Sequence, residues 1–365
     1  MLLVDAHLDL GMNALKWDRD LTQEVTTIRA QEAGTPGKGR AQGTVSLPEL
    51  RRGRVAFCVA TTVARSTGTP VAGVDFRSPA QAHAMAQGHL AYYRALERLG
   101  LARVVTERSA LADLREAWTG WEQDGAASDA PPIGFVLSME SADPILSPGD
   151  LGEWHTLGVR LIGPAHYGPG RYAGGTGVES GLTDLGRGLL REMESLDIGL
   201  DVTHLSDRAF WEALDVFAGP VIASHNNCRS LVPHQRQLDD AQLRALIERD
   251  AVIGSALDTW MLEPGWVKGQ SSNRDVLLDR VCDHIDHVCQ LAGDARHAGV
   301  GSDLDGGFGR EQSPADLDTV ADLQRLAGNL ASRGYSETDV AALLHGNWLG
   351  IFDRVLAGRT AAVAS

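Results

Sequence analysis

Cysteine is scarce: Cys58, Cys228, Cys282 and Cys289 in a chain of 365 residues are too few and too scattered to staple a secreted domain. A reducing compartment is the simpler expectation. Cys282 and Cys289 stand two helical turns apart and read as core. Positive charge is also short. With 33 Lys and Arg against 48 Asp and Glu, a formal net charge of −15, the chain lacks the basic face that nucleic acid or an anionic membrane would require. Those partners are excluded and a small molecule is expected. No apolar run approaches the length of a membrane span. Residues 1–4 alone precede the first charge, leaving no room for a signal peptide, and the segment 357–365 is too short for a lipid-anchor signal. The cytoplasm is therefore the expected location.

What is present is ordinary globular material, 43% apolar and 22% charged, enough for one large core. Short apolar runs recur at 2–6, 55–62, 133–139, 159–163, 198–203, 221–224, 252–256 and 298–301. Each is followed by polar or glycine-rich residues and then by a helical pattern, the mark of repeated strand-loop-helix units and a parallel sheet. Eight such units in one chain of this length predict an α/β fold of the closed (β/α)8 TIM-like barrel type.

The helices between them are legible in places. Leu182, Leu185, Leu189, Met193 and Leu196 recur at helical spacing as one apolar stripe. Ser206 is placed to cap the segment 207–217, and Asp239 with Gln242 has the form of a capping box. Two helical patterns, 79–100 and 107–121, decorate the barrel after the second strand. Loops 34–44 and 67–73, rich in Gly, Pro and Thr, are expected as lids over a catalytic face. With no internal repeat, low-complexity tract or linker, residues 1–365 are expected to form a single domain.

The chemistry sits at the strand ends. The first strand delivers His7 and Asp9, which point the same way because residues two apart on a strand share a face. The third delivers Glu140, the fifth His204, the sixth His225 and the eighth Asp303. Taken singly, each has an ordinary explanation: a satisfied core histidine, or a carboxylate capping the next helix. Taken together they are hard to explain by capping, since in such a barrel the carboxyl ends of the strands form one active face. A metal site is expected there.

The order Asp5-Ala6-His7-Leu8-Asp9, Ser138-Met139-Glu140, Gly199-Leu200-Asp201-Val202-Thr203-His204, Ser224-His225-Asn226-Asn227, Arg236-Gln237-Leu238-Asp239-Asp240 and Gly301-Ser302-Asp303-Leu304-Asp305-Gly306 resembles the membrane (renal) dipeptidase family of zinc peptidases, within the amidohydrolase superfamily of metallo-dependent hydrolases. The resemblance covers essentially the whole chain. It implies two zinc ions per chain, with His7 and Asp9 on one, His204 and His225 on the other, and Glu140 bridging them. It further implies that a hydroxide shared by the ions attacks the scissile carbonyl of a small dipeptide, L-Xaa-L-Xaa or L-Xaa-D-Xaa. Asp303 would orient that water and carry its proton to the leaving amine. His166 would touch the carbonyl oxygen, and Arg236 would hold the terminal carboxylate. A homodimer is the habit of the family.

Each of these roles has a plainer alternative in the sequence. His166 could pack on Tyr167, and Arg236 could form a surface salt bridge with Asp239 or Asp240. Departures from the family pattern also occur. The stretch Pro164-Ala165-His166-Tyr167-Gly168-Pro169-Gly170-Arg171-Tyr172 is not of the usual Leu-Thr-His-Asn type, and Gln237 replaces the familiar Asn; both bear on substrate preference. Arg171 is a candidate partner for an acidic substrate side chain. Other activities of the superfamily, such as lactonase, phosphotriesterase or deaminase, usually come with His-x-His on the first strand and often a carboxylated lysine. Asp9 and Glu140 favour the peptidase branch. A barrel kept only for binding would be expected to lack a ligand, whereas the set here is full.

Overall fold

Each apolar run becomes a strand of a parallel barrel. The strands are β1 (Leu3–Leu8), β2 (Val55–Val63), β3 (Ala102–Val104), β4 (Ile133–Glu140), β5 (Val159–Gly163), β6 (Gly199–Asp201), β7 (Val221–Ile222), β8 (Ile253–Ser255) and β9 (Ala298–Val300). The structure is a computed structural model describing residues 1–126 and 129–357. The segment 358–365, part of the tail expected to be too short for a lipid anchor, lies outside the described residues. All nine residues of β2 and all eight of β4 are buried, as strands must be when one face fills the barrel and the other carries helices.

The sheet runs β1-β2-β4-β5-β6-β7, all parallel. An Ala223–Ile253 bridge joins β7 to β8, which pairs with β9. Backbone and side chain together close the ring. The Asp303 amide donates to the His7 carbonyl at 3.3 Å. The Asp5 carboxylate takes the Ser302 amide at 2.8 Å and the Ser302 hydroxyl at 2.5 Å. One short strand was not expected from the sequence: β3 pairs with the amino-terminal part of β4, off the barrel path. It lies between helices Pro79–Arg98 and Arg108–Gln123. Three residues are too few to show alternation, and its register comes entirely from β4.

The predicted caps are present. Ser206 accepts from the Ala209 amide at 3.0 Å to open helix Asp207–Val216. Asp239 and Gln242 make both bonds of a capping box on helix Asp240–Glu248. The expected stripe on helix Asp184–Ser195 is displaced: Leu189, Leu190 and Met193 face the barrel while Leu185 is exposed. All four cysteines are free and buried. Among the described residues no helix is long and apolar enough to cross a membrane.

Two glycines set how tightly the barrel closes under the site. A Cβ at Gly254 would lie 2.0 Å from the Ser224 carbonyl oxygen, and one at Gly301 would lie 1.7 Å from it. Only hydrogen fits there, so three adjacent backbones approach closely just before His225 turns into the barrel mouth.

Candidate active site

The strand ends deliver their side chains to one place. His7 and Asp9 come from β1 and the residue after it, Glu140 is the last residue of β4, and His204, His225 and Asp303 follow β6, β7 and β9. The chain turns sharply at three of these ends. Ser141, His204 and Asp303 have φ of 74°, 69° and 57°, left-handed conformations that non-glycine residues adopt only where the surroundings enforce them. Asp9 precedes helix Leu10–Trp17 without a side-chain capping bond, and Asp303 precedes no helix directly. The capping alternative therefore does not describe these carboxylates.

Glu140 is the hub. Its Oε1 lies 3.1 Å from His204 Nε2 and 3.3 Å from His225 Nε2, and its Oε2 lies 3.7 Å from His7 Nε2. His7 Nε2 is also 3.9 Å from oxygens of both Asp9 and Asp303. The two ring nitrogens of His204 and His225 face each other at 3.3 Å. Three overlapping groups result, each with its donor atoms within 4.8 Å of one another: His7, Glu140 and His225; Glu140, His166 and His204; and His7, Asp9 and Asp303.

The far ring nitrogens of His204 and His225 are already engaged. His204 Nδ1 lies 3.0 Å from the Thr176 hydroxyl, which itself donates to the His204 carbonyl and so accepts from Nδ1–H. His225 Nδ1 lies 2.9 Å from the Ser224 hydroxyl. The Thr176 acceptor fixes the His204 tautomer and leaves a lone pair on Nε2, and a hydroxyl on His225 Nδ1 can do the same by accepting from it. His7 Nε2, Asp9 Oδ1 and Glu140 Oε1 are buried with no hydrogen-bond partner among the described residues, although buried polar atoms are nearly always satisfied.

The electrostatics agree. Burial, with Asp9 and Asp303 beside it, pushes Glu140 well above the usual carboxylate range. Burial raises Asp9 to about 7 and lowers His7 to about 3. Burial likewise holds His204 and His225 well below the usual imidazole range. Neutral imidazoles and closely spaced carboxyls that cannot all ionise are a donor set suited to a cation. Zinc suits these N and O donors, and the residues present fit a metal centre.

The cavity above this cluster encloses about 260 Å³. His166 enters it with Nε2 3.8 Å from Glu140 Oε2. Its ring packs edge-on against Tyr167 at 4.9 Å and His204 at 4.3 Å. The Tyr167 contact exists, but so does the inward position. The Arg65 guanidinium lies 2.6 Å from His166 Nδ1 and can only donate, which obliges Nδ1 to accept and puts the ring proton on Nε2. Asp75 in turn accepts from Arg65 Nε at 2.9 Å.

Arg236 is buried in the cavity wall, not paired with Asp239 or Asp240 at the surface. One of its nitrogens donates to the His225 carbonyl at 2.8 Å, while Nη1 has no partner. His234, given no role from the sequence, accepts from the Arg236 amide at 3.0 Å and stacks edge-on with Trp260. Gln237 does not reach the cavity; it ties the Asn227 amide to the Met261 carbonyl.

One expectation is displaced. Arg171 is not in the cavity wall, because its guanidinium donates to the carbonyls of Asp143, Ile145 and Leu146. Loop 34–44 is fastened by Arg19, which holds the Gly39 carbonyl, and by Asp305, which holds the Thr44 amide, and its Lys38 lies close enough to Asp258 and Asp303 for their charges to interact. Loop 67–73 does reach the cavity, through Val71. Sequence reasoning missed Lys16, Arg65, Asp258, Trp260 and Lys268, all in the wall. The composition of loop 67–73 was the only signal near any of them.

Comparison with known proteins agrees with this geometry. Over 232 residues, 61% of this chain and 82% of the relative, the chain is 32% identical to an uncharacterized protein in the pqqA 5′ region of Klebsiella pneumoniae. It is 30% identical over 225 residues to an uncharacterized dipeptidase of Schizosaccharomyces pombe, where the match spans 60% of this chain but about half of the relative, 53%. In fold it matches a metallopeptidase from Rhodobacter sphaeroides liganded with a phosphinate mimic of L-Ala-D-Ala. That match has a TM-score of 0.76 and 24% identity over 97% of this chain and 99% of the other. The profile of the membrane dipeptidase family, peptidase family M19, matches residues 1–363, and the chain belongs to that family of metallopeptidases.

Proposed function

We propose that this protein is a dipeptidase that holds two zinc ions at the barrel mouth and hydrolyses L-Xaa-L-Xaa and L-Xaa-D-Xaa dipeptides. The observation that carries the reading is the convergence of unsatisfied donor atoms of His7, Asp9 and Glu140 on the facing nitrogens of His204 and His225. His7 and Asp9 would hold one ion, His204 and His225 the other, and Glu140 both. Bound there, a metal centre would supply a water ionised at neutral pH and an electrophile for the carbonyl oxygen.

The protein's own residues do the rest. Arg236, with Nη1 free in the wall, receives the terminal carboxylate in a guanidinium fork and fixes the register of the dipeptide. His166 donates from Nε2 to the carbonyl oxygen as charge grows on it. Asp303 accepts the proton of the attacking water and passes it to the leaving amine. A cavity of about 260 Å³ is at the small end for ligand sites and suits two residues better than a longer peptide. The scissile bond is located by a carboxylate clamp and a metal centre, not by an extended strand groove, so either configuration at the second residue can fit. The phosphinate mimic of L-Ala-D-Ala on the Rhodobacter sphaeroides relative supports that tolerance.

The test is zinc-loaded protein on a panel of dipeptides with defined stereochemistry at both positions, with metal analysis and a parallel set of lactones and phosphotriesters. About two zinc per chain and release of free amino acids are expected. Turnover of lactones without dipeptides would replace the reading, and retention of no metal would end it.

A further inference from the structure

The cavity wall carries four cations: Lys16, Arg65, Arg236 and Lys268. Two are neutralised within the protein. Arg65 is paired with the buried Asp75 at 2.9 Å, and Lys268 with Asp258 at 3.6 Å. Asp258 also accepts from Gln312 at 2.5 Å and from the Trp260 indole at 2.6 Å. Arg236 is left for the terminal carboxylate. Lys16 is left over: it makes no ion pair or hydrogen bond among the described residues, and its nearest aromatic face, Trp17, is 6.0 Å away.

Lys16 is not a loose surface lysine. It is half-buried in the last turn of helix Leu10–Trp17, the helix that starts directly after Asp9. Its stem is pinned under loop 67–73, where a Cβ on Gly73 would lie 2.8 Å from Lys16 Cγ. Around it the wall is largely apolar, with Asp9 the carboxylate and Arg65 and Arg40 the cations close enough to act on its charge. Met12, Val63 and Val74 form a small cluster separate from the main core, and Val71 joins them at the cavity. A short hydrocarbon lining that ends in an unpaired ammonium matches a side chain with a methylene stem and a terminal carboxylate.

Resting on the dipeptidase reading, we infer that Lys16, with Met12, Val63, Val71 and Val74, forms a subsite for the side-chain carboxylate of an aspartyl or glutamyl residue in the substrate. Lys16 is then a specificity-determining residue that touches substrate away from the reacting atoms. The ammonium would sit within ion-pair distance of a carboxylate that the amide isostere cannot supply. Preference should therefore appear between Glu and Gln, which share shape and differ in charge.

The experiment measures kcat/KM on two matched pairs, Ala-Glu against Ala-Gln and Glu-Ala against Gln-Ala, for the unmodified enzyme and for Lys16→Met and Lys16→Arg. At least one acidic member should be preferred about tenfold over its amide, the effect of one partly desolvated ion pair. The ratio should fall close to one in Lys16→Met and persist in Lys16→Arg, and the pair that shows it identifies the substrate position served. Calorimetric titration with phosphinate analogues of the same pairs reads the ratio without turnover. Neutral dipeptides cleaved with both ratios near one, or a ratio that survives Lys16→Met, would overturn the subsite and leave the dipeptidase reading intact. Failure to cleave any dipeptide would overturn both.

Discussion

Replacing Arg65 by Met removes the one donor that fixes the His166 tautomer. In the present arrangement the guanidinium sits 2.6 Å from Nδ1, so the ring proton must be on Nε2, where the carbonyl oxygen is expected. Without that donor Nδ1 is free to carry the proton, and the resulting tautomer presents a lone pair where a donor is needed. A hydrogen bond from a charged group contributes about 1.5 to 3 kcal/mol. Expressed only as charge develops on the oxygen, that is a roughly ten- to hundred-fold fall in kcat with little change in KM. Steady-state kinetics on a neutral dipeptide read this directly. Arg65→Lys should recover part of the loss, since an ammonium donates but without the fixed fork. Asp75→Asn supplies the control for the loop: Asp75 also accepts from the Thr67 amide and hydroxyl, so it loosens the segment while leaving the donor on His166. A kcat for Arg65→Met within twofold of the unmodified enzyme, or one matched by Asp75→Asn, would refute the tautomer argument.

Asp305 lies beneath the site, fully buried, and accepts from the Thr44 amide and hydroxyl, the Val45 amide and Arg19. Asp305→Ala should cost about 3 to 5 kcal/mol, since it orphans two amides and half of the buried Arg19 pairing, and the urea midpoint reads it; Asp305→Asn keeps one of the two acceptor oxygens and should cost less. His89 and His284 are buried and held neutral, each lowered from 6.5 to about 4 chiefly by burial. In the unfolded chain they take up protons near pH 6.5 and in the folded chain only near 4. The stability they allow is full above pH 6.5 and is lost as pH falls through that window, about 3 kcal/mol for each. Unfolding free energies from pH 7 to 4.5 should show this, and His89→Leu should flatten the slope by one proton. Gly301→Ala drives a Cβ to 1.7 Å from the Ser224 carbonyl and should cost about 3 kcal/mol or more, with a lowered metal content because His225 is displaced; unchanged metal binding would contradict the role given to that close approach.

Where the sequence was legible, the determining interactions were short-range. A strand buried on both faces must be continuously apolar, so eight runs were visible and their ends located Glu140, His204, His225 and Asp303. Caps reach two to three residues, so Ser206 and the Asp239–Gln242 box could be read locally. Leu185 misled because spacing defines a stripe without saying which edge of it meets the barrel. β3 was invisible because its register comes wholly from β4.

The sequence by itself determined the α/β barrel and the set of residues its strand ends would carry, because both follow from pattern over a few residues repeated along the chain. Tertiary structure alone decided what surrounds them. It paired Arg65 with His166 across 101 positions, consumed Arg171 on backbone carbonyls, and placed Lys16 in the wall with no ion pair or hydrogen bond among the described residues. Whether a charge is spent or available depends on neighbours brought together by closure of the barrel, and no local pattern encodes those neighbours.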